Sequence, residues 1–125
     1  MLAKRKKMIE KMDAAFADIN VAVLEHYGKE HASSGHLYIV RLLGKTREQT
    51  NEVIEKMAER GIATNVHYKP LPMMTAYKRM GFDIKNFPNA YHMFENEITL
   101  PLNTKMTMED VNYVIENFAD IVKSF

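Results

Sequence analysis

The sequence contains no cysteine, which excludes disulfide bonds, thiolate metal sites and cysteine nucleophiles. A chain without cysteine suits a reducing compartment. The sequence also contains no apolar run near the ~20 residues that a membrane-spanning helix needs, and its first residues lack the apolar core of a secretory signal peptide. We therefore expect a cytoplasmic protein with no membrane partner.

The net charge is also small, at +1 for the whole chain at pH 7. This balance gives no reason to expect a nucleic-acid partner, and the short basic run at residues 4–7 is typical of the solvated start of a helix. With 46% hydrophobic and 26% charged residues, the composition is that of a globular protein. A length of 125 residues fits one domain, so we predict that residues 1–125 form a single domain.

Familiar catalytic and metal-binding motifs are missing as well. Residues 44–46 resemble the end of a phosphate-binding P-loop, but Ile39 occupies the position where that motif needs its first glycine. His26, His31 and His36 are spaced by five residues, without the tighter spacing or the cysteine partners of zinc sites. The sequence has neither a Gly-x-Ser-x-Gly elbow nor a His-Glu-x-x-His pair. We therefore expect no metal site.

The carboxylates do not suggest an acid–base pair. Glu95 and Glu97, like Glu109 and Asp110, occur in patterns that we interpret as helix-dipole support and solvated faces. Nothing in the sequence assembles a nucleophile with a base and an orienting group, so we predict no catalytic residue in this chain.

Apolar periodicity and turn residues predict three main helices and four strands. The predicted helices cover residues 4–17, 47–60 and 107–121, and the predicted strands cover residues 19–24, 36–43, 62–67 and 97–100. Thr46 and Thr107 are placed to cap helices, and residues 73–97 are expected to form short helical pieces. This order predicts an α+β fold, with a small, largely antiparallel sheet of three to four strands covered by helices. The predicted core comprises Phe16, Leu37, Ile39, Val53, Ile54, Met57, Val66, Val111, Ile115 and Phe118.

One segment stands out on chemical grounds. His67, Tyr68 and Lys69 occur together where a predicted strand passes into a loop stiffened by Pro70 and Pro72. Loops held by rigid elements are where binding groups concentrate. Two interpretations stay open from the residues alone: the side chains line a binding site, or Tyr68 packs and His67 is a satisfied residue at the end of a strand.

The same segment carries a family resemblance. Residues 61–71 are similar to the G-I-x-T-x-x-H-Y-x-P-L stretch of the DegT/DnrJ/EryC1/StrS family of pyridoxal-phosphate-dependent sugar aminotransferases. Residues 36–42 resemble its H-L-Y-x-x-R-L strand, and residues 87–90 resemble its F-P-x-A helix start. Residues 100–102 followed by 108–115 resemble its L-P-L and x-E-D-V-x-Y-V-I pieces. The pieces occur in the family's order and cover nearly the whole chain.

Two positions depart from the family pattern. Family members often have a histidine after the Pro-Leu pair, where this sequence has Pro72. The helix that follows F-P-x-A usually continues with an acidic residue, where this sequence has Tyr91.

The resemblance implies the C-terminal small domain of fold-type I aminotransferases, which would close over one side of the active site. It places His67 and Tyr68 near that cleft as substrate-binding residues. Such enzymes move an amino group from an amino acid to a keto group on a nucleotide-linked sugar, and their cofactor supplies the electron sink. In the family, the lysine that forms the Schiff base lies in the preceding large domain, and Lys69 does not occupy its position.

The resemblance therefore implies pyridoxal phosphate in the parent enzyme, with none bound to this chain alone, which we expect to be inactive as a transaminase. It implies three kinds of partner: an N-terminal large domain, a nucleotide-sugar substrate with an amino-acid donor, and further copies in a homo-oligomer. The alternative is a free-standing α+β module that binds a ligand or serves assembly without catalysis.

Overall fold

The computed structural model describes residues 1–125 and contains five helices and three strands. In chain order these are α1 (Leu2–Phe16), β1 (Val21–Val23), β2 (Tyr38–Leu42), α2 (Arg47–Glu59), α3 (Thr75–Arg79), α4 (Pro88–Phe94), β3 (Glu97–Leu100) and α5 (Met108–Lys123). Two short 3-10 turns, Leu71–Met73 and Ile84–Asn86, flank α3. None of the helices combines the length and the apolar character that crossing a membrane requires.

The two best-defined helix starts are those that the sequence predicted. Thr46 accepts a hydrogen bond from the backbone N–H of Gln49, and the Gln49 side chain accepts one from Thr46 N–H. Thr107 and Asp110 form the same reciprocal pair at the start of α5. Each pair satisfies backbone donors that the first helical turn leaves free, so both predicted caps are confirmed.

The sheet is antiparallel throughout, in the order β1-β2-β3. The predicted α+β fold is therefore confirmed, with three strands in the sheet. Helices α1 and α5 pack against each other, and α2 packs on α5 and β3. The hydrophobic core lies between these helices and one face of the sheet.

The buried face of β2 is the opposite of the predicted one. Tyr38, Val40 and Leu42 are buried, whereas Leu37 and Ile39, which we predicted in the core, are half-buried and lie outside it. Apolar residues occupy both alternating sets in this strand, so periodicity alone did not fix the face. A tyrosine is buried at low cost because its hydroxyl donates to Asp13 Oδ1 at 2.6 Å.

Residues 62–67 do not form the predicted strand. Only Asn65 pairs with the sheet, as an isolated bridge to Thr99. The next two backbone N–H groups bind side-chain acceptors instead: Val66 N–H donates to Asn65 Oδ1, and His67 N–H donates to Glu97 Oε2. Side-chain oxygens thus replace the ladder partners that a fourth strand would need. Val66, which we predicted in the core, is half-buried and lies outside it.

The core is otherwise close to the prediction. Two predicted members, Ile54 and Ile115, are partly buried and pack against it. The rings of Phe16 and Phe118 meet edge to face with centroids 5.2 Å apart, which joins α1 to α5. The predicted residues that are fully part of the core are Phe16, Val53, Met57, Val111 and Phe118.

We expect Phe118→Ala to destabilise the chain by about 3–5 kcal/mol, because a fully buried phenyl ring would leave a cavity between α1 and α5. Urea unfolding followed by circular dichroism measures the change. Met108→Ala, at an exposed position at the start of the same helix, should change the free energy of unfolding by less than about 0.5 kcal/mol. Equal losses in the two variants would mean that the buried face of α5 is wrongly assigned.

Candidate functional site

The turn at the end of α2 sets the direction in which the backbone continues toward His67. Ile62 N–H donates to Met57 O at 3.0 Å, and Gly61 N–H donates to Ala58 O at 2.9 Å. This pair of bonds is a Schellman motif, which requires the left-handed backbone that Gly61 adopts with φ of 77°. Ile62 is buried immediately after the turn, so the following residues start out against the body of the domain.

A single backbone bridge then fastens the segment to the edge of the sheet. Asn65 N–H donates to Thr99 O at 3.1 Å, and Thr99 N–H donates to Asn65 O at 2.8 Å. The next residue but one is His67, which consequently lies beside β3. The bridge is the step that brings a loop histidine to residues some thirty positions later in the chain.

The register of the sheet gathers polar side chains on the face away from the helices. Ala22 pairs with Arg41, Arg41 pairs with Glu97, and Ile39 pairs with Thr99. Directly paired residues of antiparallel strands project from the same face. Arg41, Glu97 and Thr99 therefore share the face opposite the core.

A pocket of about 280 Å³ opens on this face. Its polar groups are the guanidinium of Arg41, the imidazole of His67 and the carboxyl group of Glu97. Its remaining wall is apolar and comes from β1 and its end, from β2 and from α4. The lining residues are Ala22, Val23, Leu24, Ile39, Arg41, His67, Met93 and Glu97.

Hydrogen bonds connect His67 to Glu97 through Thr99. The Thr99 hydroxyl donates to Glu97 Oε1 at 2.7 Å and lies 2.9 Å from His67 Nδ1. The backbone N–H of His67 donates to the other carboxyl oxygen of Glu97, Oε2, at 3.1 Å. Both oxygens of this buried carboxyl group therefore have partners within the chain.

Burial raises the pKa of Glu97 above its ordinary value, because the ionised form loses hydration. The hydrogen bonds from Thr99 and from the His67 backbone, together with the charge of Arg47, oppose the rise without cancelling it. Arg47 itself has a pKa lowered by burial. Its guanidinium donates to the carbonyl oxygens of Phe94 and Glu97 and lies 4.8 Å from the centre of the Phe94 ring.

The guanidinium of Arg41, which lines the pocket, is held at the end of α4. Arg41 Nε donates to Asn96 Oδ1 at 3.1 Å, and Arg41 Nη2 donates to His92 O at 3.2 Å. These two bonds fix the plane of the guanidinium on the open face of the sheet. Arginine offers only donors, so Arg41 can bind an acceptor group or an anion but cannot accept a proton.

The structure separates the two site residues that the sequence predicted. His67 lines the pocket, whereas Tyr68 is 72% exposed and lies outside it. The two rings meet edge to face with centroids 4.7 Å apart, across a cis peptide bond. Lys69 is exposed and is not among the residues that line the pocket.

Sequence reasoning missed the other polar residues of the pocket. Glu97 was interpreted as helix-dipole support on a solvated face, and this was wrong because the residue is only 4% exposed. The strand predicted over residues 97–100, which begins with Glu97, is confirmed as β3. A signal was present, since Glu97 and Thr99 are two residues apart and alternate with Ile98 and Leu100. That spacing is typical of one polar and one apolar face in a strand.

The residues of this pocket do not fit pyridoxal phosphate as its holder. No lysine lines it, so none could form the Schiff base there. Glu97 is 4% exposed and its carboxyl group accepts hydrogen bonds from Thr99 and from the His67 backbone, so the contacts that it makes lie within the chain. No group of three or more histidine, aspartate and glutamate side chains is arranged to hold a metal ion.

Comparison with known proteins identifies relatives over nearly the whole chain. The sequence profile of the DegT/DnrJ/EryC1/StrS aminotransferase family matches residues 1–119. The spore coat polysaccharide biosynthesis protein SpsC of Bacillus subtilis is 29% identical over 98% of this chain and 32% of its own length. A UDP-4-amino-4,6-dideoxy-N-acetyl-beta-L-altrosamine transaminase of Campylobacter jejuni is 31% identical over 73% of this chain and 24% of its own.

Solved structures agree. The PLP-form of Spr1654 from Streptococcus pneumoniae, assigned as a sugar aminotransferase, is 48% identical, with a TM-score of 0.96 over 99% of this chain and 32% of that protein. Helicobacter pylori PseC, an aminotransferase of pseudoaminic acid biosynthesis, is 27% identical, with a TM-score of 0.84 over 99% of this chain and 33% of that protein. The chain thus spans about a third of the length of its relatives. It has the fold of the small domain of fold-type I aminotransferases and belongs to the DegT/DnrJ/EryC1/StrS aminotransferase family.

Proposed function

We propose that this chain is the C-terminal small domain of a larger pyridoxal-phosphate-dependent enzyme. That enzyme transfers an amino group from an amino acid to a keto group on a nucleotide-linked sugar. The observation that carries the proposal is the match to Spr1654, which is close in sequence and in backbone but extends over only 32% of that protein. The Campylobacter jejuni relative, a transaminase of a UDP-linked amino sugar, supports the substrate class.

In this proposal the small domain closes one side of the active site with the sheet face that carries the pocket. Pyridoxal phosphate, when bound, supplies the electron sink for amino transfer. The residues that hold the cofactor, including the Schiff-base lysine, belong to the large domain. The small domain contributes contacts to the substrate and excludes water from the closed site.

The chemistry of the pocket suits a sugar that carries both polar and apolar parts. Arg41 and His67 offer polar contacts, and Val23, Ile39 and Met93 offer an apolar wall. A site of this kind uses few polar groups for orientation and apolar surface for affinity. Tyr68, exposed beside His67, is placed to reach a part of the substrate that extends beyond the pocket.

A second surface supports the role as a domain of a larger assembly. Around α3 and the start of α4, an apolar groove of about 420 Å³ is lined by Pro70, Leu71, Pro72, Tyr77, Phe82, Phe87 and Ala90. Several of its large side chains are exposed, as is the neighbouring Met80 at 71%. Exposed contiguous apolar surface marks places where another domain or subunit packs. We propose that the large domain and a second subunit cover it in the parent enzyme.

The 125-residue chain should not transaminate. The covalent step needs a lysine of lowered pKa positioned on the cofactor, and no lysine lies in the pocket. Mixing the chain with pyridoxal phosphate, an amino donor and a UDP-linked keto sugar, and following keto-acid release, measures this. Turnover above the rate of the free cofactor that one lysine substitution abolishes would contradict the proposed role.

Replacing His67 or Tyr68 should impair the parent enzyme without unfolding the domain. We expect His67→Asn and Tyr68→Phe each to lower kcat/KM by about tenfold, the effect of losing one hydrogen bond to substrate. Thermal unfolding of each variant chain checks the fold. His31→Asn, in the exposed loop between β1 and β2, is the matched control and should leave turnover unchanged. If His67→Asn lowers activity only by unfolding the chain, His67 is a packing residue instead.

The isolated chain should self-associate through the apolar groove. Light scattering across a dilution series should show particles larger than one chain, and Phe82→Asp should shift them toward the monomer because it charges the groove. Lys85→Asp, a change of charge at an exposed position nearby, is the control and should have a smaller effect. A strictly monomeric wild-type chain would favour a free-standing module over a domain.

A further inference from the structure

The hydrogen bonds around His67 determine which ring nitrogen carries the proton. An ionised Glu97 can only accept, so the Thr99 hydroxyl must direct its one proton to Glu97 Oε1, 2.7 Å away. The Thr99 oxygen can then only accept from His67 Nδ1, which lies 2.9 Å from it. The neutral imidazole is therefore protonated at Nδ1 and has its lone pair at Nε2.

The other ring nitrogen is open. Buried side-chain atoms without a hydrogen-bond partner are His26 Nε2 and Thr64 Oγ1. His67 Nε2 makes no hydrogen bond within the chain either, but it is not one of these two buried atoms. It is therefore accessible to solvent, and the His67 ring lines the pocket. This nitrogen is free to meet a ligand.

The other polar groups of the pocket differ from this nitrogen. Arg41 offers only donors, and each oxygen of Glu97 already accepts one hydrogen bond from within the chain. His67 Nε2 is thus an acceptor that has no partner within the chain, and Arg41 supplies a donor. A sugar hydroxyl, which both donates and accepts, matches that pair.

We propose that Glu97, acting through Thr99, is a positioning residue that holds His67 in the Nδ1–H form, so that Nε2 accepts a hydrogen bond from a sugar hydroxyl. The ligand part of this inference rests on the proposed function. The protonation part rests only on the chain and is measured without any ligand.

Glu97→Gln gives a sharp test because it should reverse the chain of hydrogen bonds. The backbone N–H of His67 is an obligatory donor, so it fixes the amide oxygen of glutamine toward itself. The amide NH₂ then donates to Thr99, whose own proton turns to His67 Nδ1. His67 should switch to the Nε2–H form, which free histidine also favours.

Nitrogen-15 NMR of the labelled chain reports the tautomer of each histidine through the ring nitrogen shifts. Spectra are recorded at a pH above the pKa of Glu97 and of imidazole, and His67→Asn assigns the His67 signals. We expect Nδ1–H for wild type, Nε2–H for Glu97→Gln, and retention of Nδ1–H in Thr99→Ser. Amide spectra check that each variant is folded.

Two results would overturn the proposal: a wild-type His67 in the Nε2–H form, or an unchanged Nδ1–H form in folded Glu97→Gln. If Glu97→Gln does not fold, Thr99→Val replaces it, and it should release His67 to the Nε2–H form because it removes the connecting hydroxyl. An Nδ1–H form that persists in Thr99→Val would equally contradict the proposed action of Glu97 through Thr99.

In the parent enzyme, Thr99→Val should raise KM for the sugar about tenfold with little change in kcat, and Thr99→Ser should restore it. A merely structural role would not give this pattern of rescue. If the tautomers change as expected while KM does not, the positioning of His67 by Glu97 and Thr99 is supported and the proposed sugar contact is wrong.

Discussion

The alternation of side chains along β2 and β3 is the constraint on which the rest of the structure depends. Since neighbouring residues of a strand point to opposite faces, Val40 and Ile98 enter the core while Arg41 and Glu97 are committed to the other side. Helices α1, α2 and α5 cover only the apolar face. The polar face remains available for a site.

Burying a carboxyl group on that face is unfavourable unless donors replace the lost water. Thr99 and the His67 backbone supply those donors, and Arg47 adds a positive charge nearby. The same bonds hold a loop histidine against the sheet. The hydrogen bonds that stabilise the buried Glu97 are therefore the same ones that orient His67 in the pocket.

The chain belongs to an aminotransferase family, and its pocket can be interpreted in that context. The chain spans about a third of the length of its relatives, and its pocket has polar contacts and an apolar wall but no lysine. In the function that we propose, the small domain recognises a substrate that a cofactor held elsewhere transforms. In the same proposal, the rest of the enzyme covers the exposed apolar groove around Tyr77 and Phe82.

The sequence by itself determined the helix boundaries marked by Thr46, Gly61 and Thr107, because caps and glycine turns are local, and it determined the family through ordered motifs. It also singled out His67. Only the tertiary structure decided which face of β2 is buried and that residues 62–67 make one bridge instead of a strand. It alone placed Glu97 and Thr99 beside His67, some thirty residues away in the chain. Such pairings depend on register and on competing side-chain acceptors, which are non-local and leave no periodic signal in the sequence.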